Sequence, residues 1–378
     1  MHVRHASVAE ITMVFHTYCV EWGTEMSHAY REIVDHPSAW RGADFDSIDD
    51  VSFVLHERHL TALDAALRSV HADGLSLDTV ERSDFDLSDI ALDLASIERD
   101  LLHGSGVVVI RGFPVADYSL EDIEIMYWGL GCHLGTGESQ SNMGDRLGRV
   151  EDVSGKDRSQ RAYRNSVELM MHTDLTDIIG MLSIRKAPRG GLSSYVSAAA
   201  IHNEIVATRP EYLEPLYRGF RYHRFGAENP GEDPVTPHCI PVLSEKDGFV
   251  SARFVPDYVY MAAEELAEPI AEFDNAALDY FNELAARPDL RLDAMLQPGD
   301  LSLINNHTVL HTRDAFYDGD SEAEKRLLLR LWLSSSYQRP LVDTLDMYTQ
   351  RGIAAHKGSD TYYTGPTDPA SQLGSVSG

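Results

Sequence analysis

The sequence predicts a mainly β fold with accompanying helices: an antiparallel sandwich or barrel, with helices packed on its outside and before it. Three observations lead there. The first hundred residues have a helical texture; the β-branched run "VVVIRGFPV" at 107–115 ends it; and from about residue 165 short apolar runs alternate with turns. The runs lack the strand–helix–strand regularity of a parallel sheet.

Element by element, "ERHLTALDAALRSVHADG" spaces Leu60, Leu63, Ala66 and Leu67 at helical intervals and closes at Gly74. "DLSDIALDLASIERDLLHGSG" repeats the pattern with Ile90, Leu92, Leu94, Ile97, Leu101 and Leu102, and stops at Gly104. The run at 107–115, closed by Gly112 and Pro114, reads as a buried strand, and "SLEDIEIMYWGLGCHLG" as a further helix. Strand-like runs follow in "IIGMLSIRKAPRGGLSSYVS", "FVSARFVPDYVYM", "DLSLINNHTVLHT" and "RLLLRLWLS", with helical interruptions expected at 200–217 and 262–287. Between them "FGAENPGEDPVTPHCIP" carries too much Pro and Gly for regular structure. The end, "GSDTYYTGPTDPASQLGSVSG", has the composition of a flexible tail.

Composition narrows the function. The 378 residues, 43% of them hydrophobic, can bury a large core. Sixty acidic against 32 basic residues give a net charge of -28. Such a field repels phosphate backbones, and no Lys/Arg-rich run offsets it locally, so nucleic acid and anionic membranes are not expected partners. Three separated cysteines, Cys19, Cys132 and Cys239, fit a reducing compartment and offer no CxxC zinc knuckle. The apolar stretch at the N-terminus is interrupted by His16 and Thr17 and is too short to span a bilayer. A soluble, cytoplasmic protein is expected; a homo-oligomer is compatible with the sequence, which does not fix the state.

Chemistry concentrates in one constellation. In "MHTDLT", His172 and Asp174 are two residues apart, a spacing that puts both side chains on one face of a strand and turns Thr173 away. "LINNHTVLHTRDAF" offers His307 and His311, and "LLLRLWL" carries Arg330 on the next strand. Two histidines and a carboxylate on one face of an octahedron leave three positions open, as in non-haem Fe(II) oxygenases. An apolar strand bearing Arg needs an anion for it, and the guanidinium fork matches a carboxylate. Arg326 competes with Arg330, but at the charged start of the strand a solvated role is expected for it.

The chain resembles the taurine dioxygenase-like (TauD/TfdA) family of Fe(II)/2-oxoglutarate-dependent oxygenases. The resemblance runs through "GVVVIRGFPV", "LGCHLGT", "HTDLTD", "RGGLSSYVSAAAIHNEI", "QPGDLSLINNHTVLH" and "KRLLLRLWLS". It implies a double-stranded β-helix, the cupin-like jelly roll, at 104–345, covered by a helical N-terminal extension at 1–103 and followed by a flexible tail at 346–378. It implies Fe(II), with 2-oxoglutarate and O₂ as co-substrates. His172, Asp174 and His311 would bind iron, with His311 preferred over His307. Arg330 would hold the far carboxylate of 2-oxoglutarate, helped by the hydroxyl of Ser193. The retained carboxylate of Asp174 argues against halogenation, in which halide takes that position. The implied reaction is oxidation of an unactivated C–H bond of a small molecule by hydroxylation, desaturation or cyclisation, an amino acid or natural-product intermediate being the expected class. Gln140, Asn142, Tyr163 and Glu168 are the candidate substrate contacts, each with a scaffold role as the favoured alternative, and "YHRF" at 222–225 reads either as a cation for a substrate carboxylate or as a surface strand. The alternatives are a metal-dependent hydrolase or isomerase of the cupin type, and a non-catalytic jelly-roll binding module.

Overall fold

The computed structural model describes residues 29–153, 164–229, 231–348 and 351–355. In chain order its strands are β1 (Ser52–Val54), β2 (Val107–Arg111), β3 (Thr136–Gly137), β4 (Gly148–Val150), β5 (Leu169–His172), β6 (Ile178–Arg185), β7 (Arg189–Gly190) and β8 (Ser193–Ser197). They continue as β9 (Leu243–Lys246), β10 (Phe249–Ala252), β11 (Arg291–Ala294), β12 (Leu301–Asn305), β13 (Val309–Arg313), β14 (Phe316–Tyr317) and β15 (Leu327–Ser334). The larger sheet runs β1-β2-β12-β6-β15-β3, with β4 also on β15, and the smaller runs β11-β8-β13-β5. The β1–β2 pairing is parallel, and the other pairs of these two sheets are antiparallel.

Alternation of side chains sorts the larger sheet into two faces. Leu329, Leu331 and Leu333 of β15, Leu301 and Leu303 of β12, and Val108 and Ile110 of β2 pack into a core shared with α1 (Glu57–Ala72), α2 (Ala91–His103) and α3 (Leu120–Cys132). The intervening Leu328 and Trp332 of β15, Ile304 of β12 and Val109 of β2 belong to a second core with Met171, Tyr195 and Val309 of the smaller sheet. That core continues into α4 (Ala198–Thr208), α5 (Leu213–Arg218), α6 (Pro256–Glu265) and α7 (Glu272–Ala285). Gly180 of β6 gives α3 its close approach, since a Cβ there would lie 2.4 Å from the Tyr127 hydroxyl.

Several expectations need adjustment. Residues 29–56 hold short 3-10 turns and β1 rather than long helices. Leu92 is 89% exposed while Ile90, Leu94, Ile97 and Leu101 are buried; two residues before Leu94, it sits on the opposite side of α2. The segment "PDYVYM" is helix, because Pro256 occupies the first turn of α6, where its missing N–H and fixed φ suit a helix start. The chain also stays packed past 345: Met347, Tyr348 and Ile353 are buried among core residues, so the described beginning of the expected tail is held by apolar contact. Residues 356–378 and 1–28, Cys19 included, lie outside the described residues. No helix among the described residues is long and apolar enough to cross a membrane.

Four buried histidines give the fold a pH signature. Burial pushes His202, His223, His307 and His311 below the ordinary imidazole value, His311 to about 3. Unfolded, they take up protons below pH of about 6.5; folded, they do not, so their contribution to stability is present above that pH and lost as the solution is acidified. Each can change stability by up to about 1.4 kcal/mol per pH unit. Urea midpoints of the metal-free protein are expected to fall steadily from pH 7.5 to pH 5.5; constant midpoints would mean these rings titrate in the fold.

Candidate active site

The smaller sheet brings the two distant histidines together. β5 ends at His172, and its partner across the antiparallel pair with β13 is His311. The ring centroids are 4.4 Å apart. Asp174 lies just past the end of β5 rather than on it, and ligand atoms of His172, Asp174 and His311 all fall within 4.8 Å of one another. His172 Nδ1 is 2.8 Å from the Met170 carbonyl, to which it donates, leaving the Nε2 lone pair facing the Asp174 carboxylate at 3.9 Å.

Protonation suits metal binding. Burial, with His172 and Arg330 adding to it, keeps His311 neutral, and no hydrogen bond within the protein engages its buried Nδ1. Burial alone would raise the Asp174 carboxyl, but Arg330, the two imidazoles and the Trp332 N–H outweigh it and hold the group below its ordinary value. Two imidazoles and one carboxylate within reach of a single ion fit the donor set of a facial-triad Fe(II) site.

The turn after β5 is clamped from several sides. Asn306, in the turn between β12 and β13, accepts from the Asp174 N–H at 3.0 Å and donates to the carbonyls of Asp174 and Thr176. Arg253 donates to the same Asp174 carbonyl. Thr173, as expected, turns away: its N–H donates to the Phe254 carbonyl at 2.9 Å, and its hydroxyl accepts from the Phe254 N–H at 3.0 Å. The sequence reading missed Asn306, Arg253 and Trp332; an Asn before the turn histidine in "NNH" was the available signal.

His307 is separated from the triad. It lies in the turn before β13, not on the strand with His311, and its Nε2 is 2.9 Å from Asp177 Oδ1. Asp177 is held far below the ordinary carboxylate range: burial opposes the shift, and His307, the Ser335 N–H and Arg351 outweigh it.

A cavity of about 50 Å³ runs between the sheets from the triad toward Ser193, Arg313 and Arg326. Arg330 is at the metal end. It donates to Asp174 Oδ2 at 3.3 Å and to Gln140 Oε1 at 2.8 Å, and its guanidinium lies 4.8 Å from the Trp332 ring centroid. Arg326 is not solvated as the sequence suggested. It is 4% exposed, because its side chain turns inward beside Leu328, and its Nη1 is buried without a hydrogen-bond partner. Burial and the like charge of Arg313 lower its pKa to about 9, a cost that an anion would remove. Gly191, at φ +78°, makes room for it: a Cβ there would sit 3.2 Å from Arg326 Nε.

The expected substrate contacts fare unevenly. Gln140 is buried, and besides accepting from Arg330 it donates to the Arg330 carbonyl at 2.9 Å and the Arg146 carbonyl at 3.1 Å. It therefore orients Arg330. Gln140→Leu is expected to destabilise the fold by about 1–3 kcal/mol through the orphaned carbonyls; an unchanged denaturation midpoint would contradict that role. Asn142 is buried and donates to the Gly226 carbonyl at 3.0 Å, Glu168 is exposed ahead of β5, and Tyr163 lies outside the described residues. Arg224 of "YHRF" is buried and donates to the carbonyls of Met347 and Asp233, so the segment is no surface strand. Asp257, at the start of α6, went unnoticed in the sequence. Its carboxyl is raised by burial, with His172 pulling the other way.

The profile of the Taurine catabolism dioxygenase TauD, TfdA family matches residues 72–332. The chain belongs to this family. It is 29% identical over 327 residues to the FR-33289 synthase of Streptomyces rubellomurinus, covering 85% of this chain and 96% of that one. In structure it is similar to an asparagine oxygenase in complex with Fe(II), 3-hydroxyasparagine and succinate, with TM-score 0.58, 17% identity, and coverage of 81% and 99%. It is also similar to the non-haem iron oxygenase OrfP with iron and α-ketoglutaric acid, at TM-score 0.54, 15% identity, and coverage of 75% and 94%. The two facing sheets are thus the double-stranded β-helix of this TauD/TfdA protein. It is a non-haem Fe(II)/2-oxoglutarate-dependent dioxygenase of a small molecule, which sets aside the hydrolase, isomerase and binding-module alternatives. When bound, iron and 2-oxoglutarate supply the oxidation chemistry, coupling decarboxylation to succinate and CO₂ with attack on a C–H bond. The chain supplies donors, a fixed cavity and the charges around it.

Proposed function

We propose that His172, Asp174 and His311 hold the iron, that Arg326 with Ser193 receives the far carboxylate of 2-oxoglutarate, and that the substrate is an α-amino acid or a derivative retaining its amine. The observation that carries the metal assignment is the convergence of three donors within 4.8 Å at one end of the inter-sheet cavity.

Arg326 is preferred to Arg330 for a physical reason. Arg330 already faces the Asp174 carboxylate, next to the metal donors, whereas a chelating 2-oxo acid presents its second carboxylate at the far end of its chain. Ser193 and Arg313 are cross-strand partners two residues along from the Tyr195–His311 pair, a displacement of about 7 Å, comparable to the length of such a chain. Arg326, with an unpartnered nitrogen, opens onto the same end.

For the substrate, Asp257, at the start of α6 and within electrostatic reach of His172, offers a half-buried carboxylate suited to an ammonium group. The asparagine oxygenase and OrfP neighbours, whose complexes hold 3-hydroxyasparagine and (3S)-hydroxy-L-arginine, are consistent with an amino-acid class. Screening amino acids and their N-acetylated counterparts for substrate-dependent succinate formation tests this. Free-amine compounds should stimulate turnover, and Asp257→Asn should raise their KM without changing that for 2-oxoglutarate. Equal stimulation by N-acetylated counterparts would remove the role of Asp257.

A further inference from the structure

The far end of the cavity holds two buried cations, and the co-substrate reading uses only one. Arg313 is 5% exposed on β13, opposite Ser193. Its Nη2 donates to the Val167 carbonyl, but its Nε and Nη1 are buried with no hydrogen-bond partner. Arg313 and Arg326 face the same Phe316 ring, with guanidinium carbons 4.8 and 5.0 Å from its centroid. Asp152 is the acid whose charge reaches Arg313. Anchoring Val167 accounts for one nitrogen and leaves two orphaned nitrogens beside the orphaned Nη1 of Arg326, an arrangement that is costly unless an anion completes it.

We infer that Arg313 is a specificity-determining residue for the co-substrate: with Arg326 it makes the far end of the cavity dicationic and selects a 2-oxo acid bearing a second carboxylate over a monoanionic one. This rests on the reading of that end as the co-substrate's carboxylate site. A monoanionic 2-oxo acid places its charge at the metal and nothing at the far end, so it gains nothing from Arg313. The second guanidinium adds attraction only for the dianion, and its rigid strand position, fixed by the Val167 contact, means little reorganisation on binding.

The test is anaerobic calorimetric titration of the Fe(II)-loaded protein with 2-oxoglutarate and with 2-oxobutanoate. Arg313→Gln should weaken 2-oxoglutarate on the order of tenfold and change 2-oxobutanoate by less than about twofold, while Arg313→Lys recovers most of the loss. Arg313→Met, which keeps the apolar stem, repeats the charge removal should the Gln variant fold poorly. Equal weakening of both acids, or no weakening of either, would overturn the inference. Arg326→Gln separates the two levels. If it weakens 2-oxoglutarate and Arg313→Gln does not, Arg313 alone loses its role; if it too leaves binding untouched, the reading of the carboxylate site falls and takes this inference with it.

Discussion

Asp174→Ala is expected to abolish 2-oxoglutarate-dependent succinate formation and to weaken Fe(II) binding by more than about 100-fold, the upper cost of losing a residue that merely supports a ligand. The carboxylate is the only anionic donor of the set and comes within 3.9 Å of His172 Nε2. Its loss also strips Arg330 and the Trp332 N–H of their shared acceptor, Oδ2. Because a buried guanidinium left without its anion costs about 3–5 kcal/mol, the variant should also be less stable. Asp174→Asn keeps an acceptor for Trp332 and separates the effects: its midpoint should recover in part while turnover stays lost. Wild-type turnover in either variant would remove Asp174 from the metal site.

The second large effect concerns the two arginines of β15 and its approach. Arg326→Gln is expected to raise the KM for 2-oxoglutarate by at least about 100-fold, the consequence of losing a buried charge-assisted pair worth about 3 kcal/mol or more. Arg330→Gln should act differently. It removes the cation that keeps Asp174 ionised, so the carboxyl pKa should rise and Fe(II) binding should fail at higher pH than in the wild type, with metal lost as pH falls. Metal content measured against pH distinguishes them: Arg326→Gln should hold iron normally and Arg330→Gln should not. A large rise in 2-oxoglutarate KM in Arg330→Gln, with none in Arg326→Gln, would return the carboxylate to Arg330.

Periodicity made most of the scaffold readable. The spacing of Leu63, Ala66 and Leu67 marks the buried stripe of α1, and the apolar runs Val107–Ile110 and Leu327–Ser334 are strands buried on both faces. The convergence of His172, Asp174 and His311 was legible chiefly through the family resemblance, which singled out His311; the strand period did not place Asp174, which lies just past the end of β5. What failed depended on the third dimension. Arg326 sits at the polar start of an apolar strand, and only the adjoining Gly191, which leaves space for the side chain, explains its turn inward. His307 shared a parity with His311, but the turn at Asn306–Thr308 breaks the strand between them, so parity carried no information across it. Asp257 and Arg313 had no local pattern at all: Arg313 faces the cavity through its place on β13, and Asp257 comes within electrostatic reach of His172 through the placing of α6.

The most direct test of the account is an anaerobic crystal structure with Fe(II) and 2-oxoglutarate. It should show one iron held by His172, Asp174 and His311, chelated by the 2-oxo acid, with the distal carboxylate on Arg326 and Ser193. Iron between His307 and Asp177, or a distal carboxylate turned toward Arg330, would contradict it.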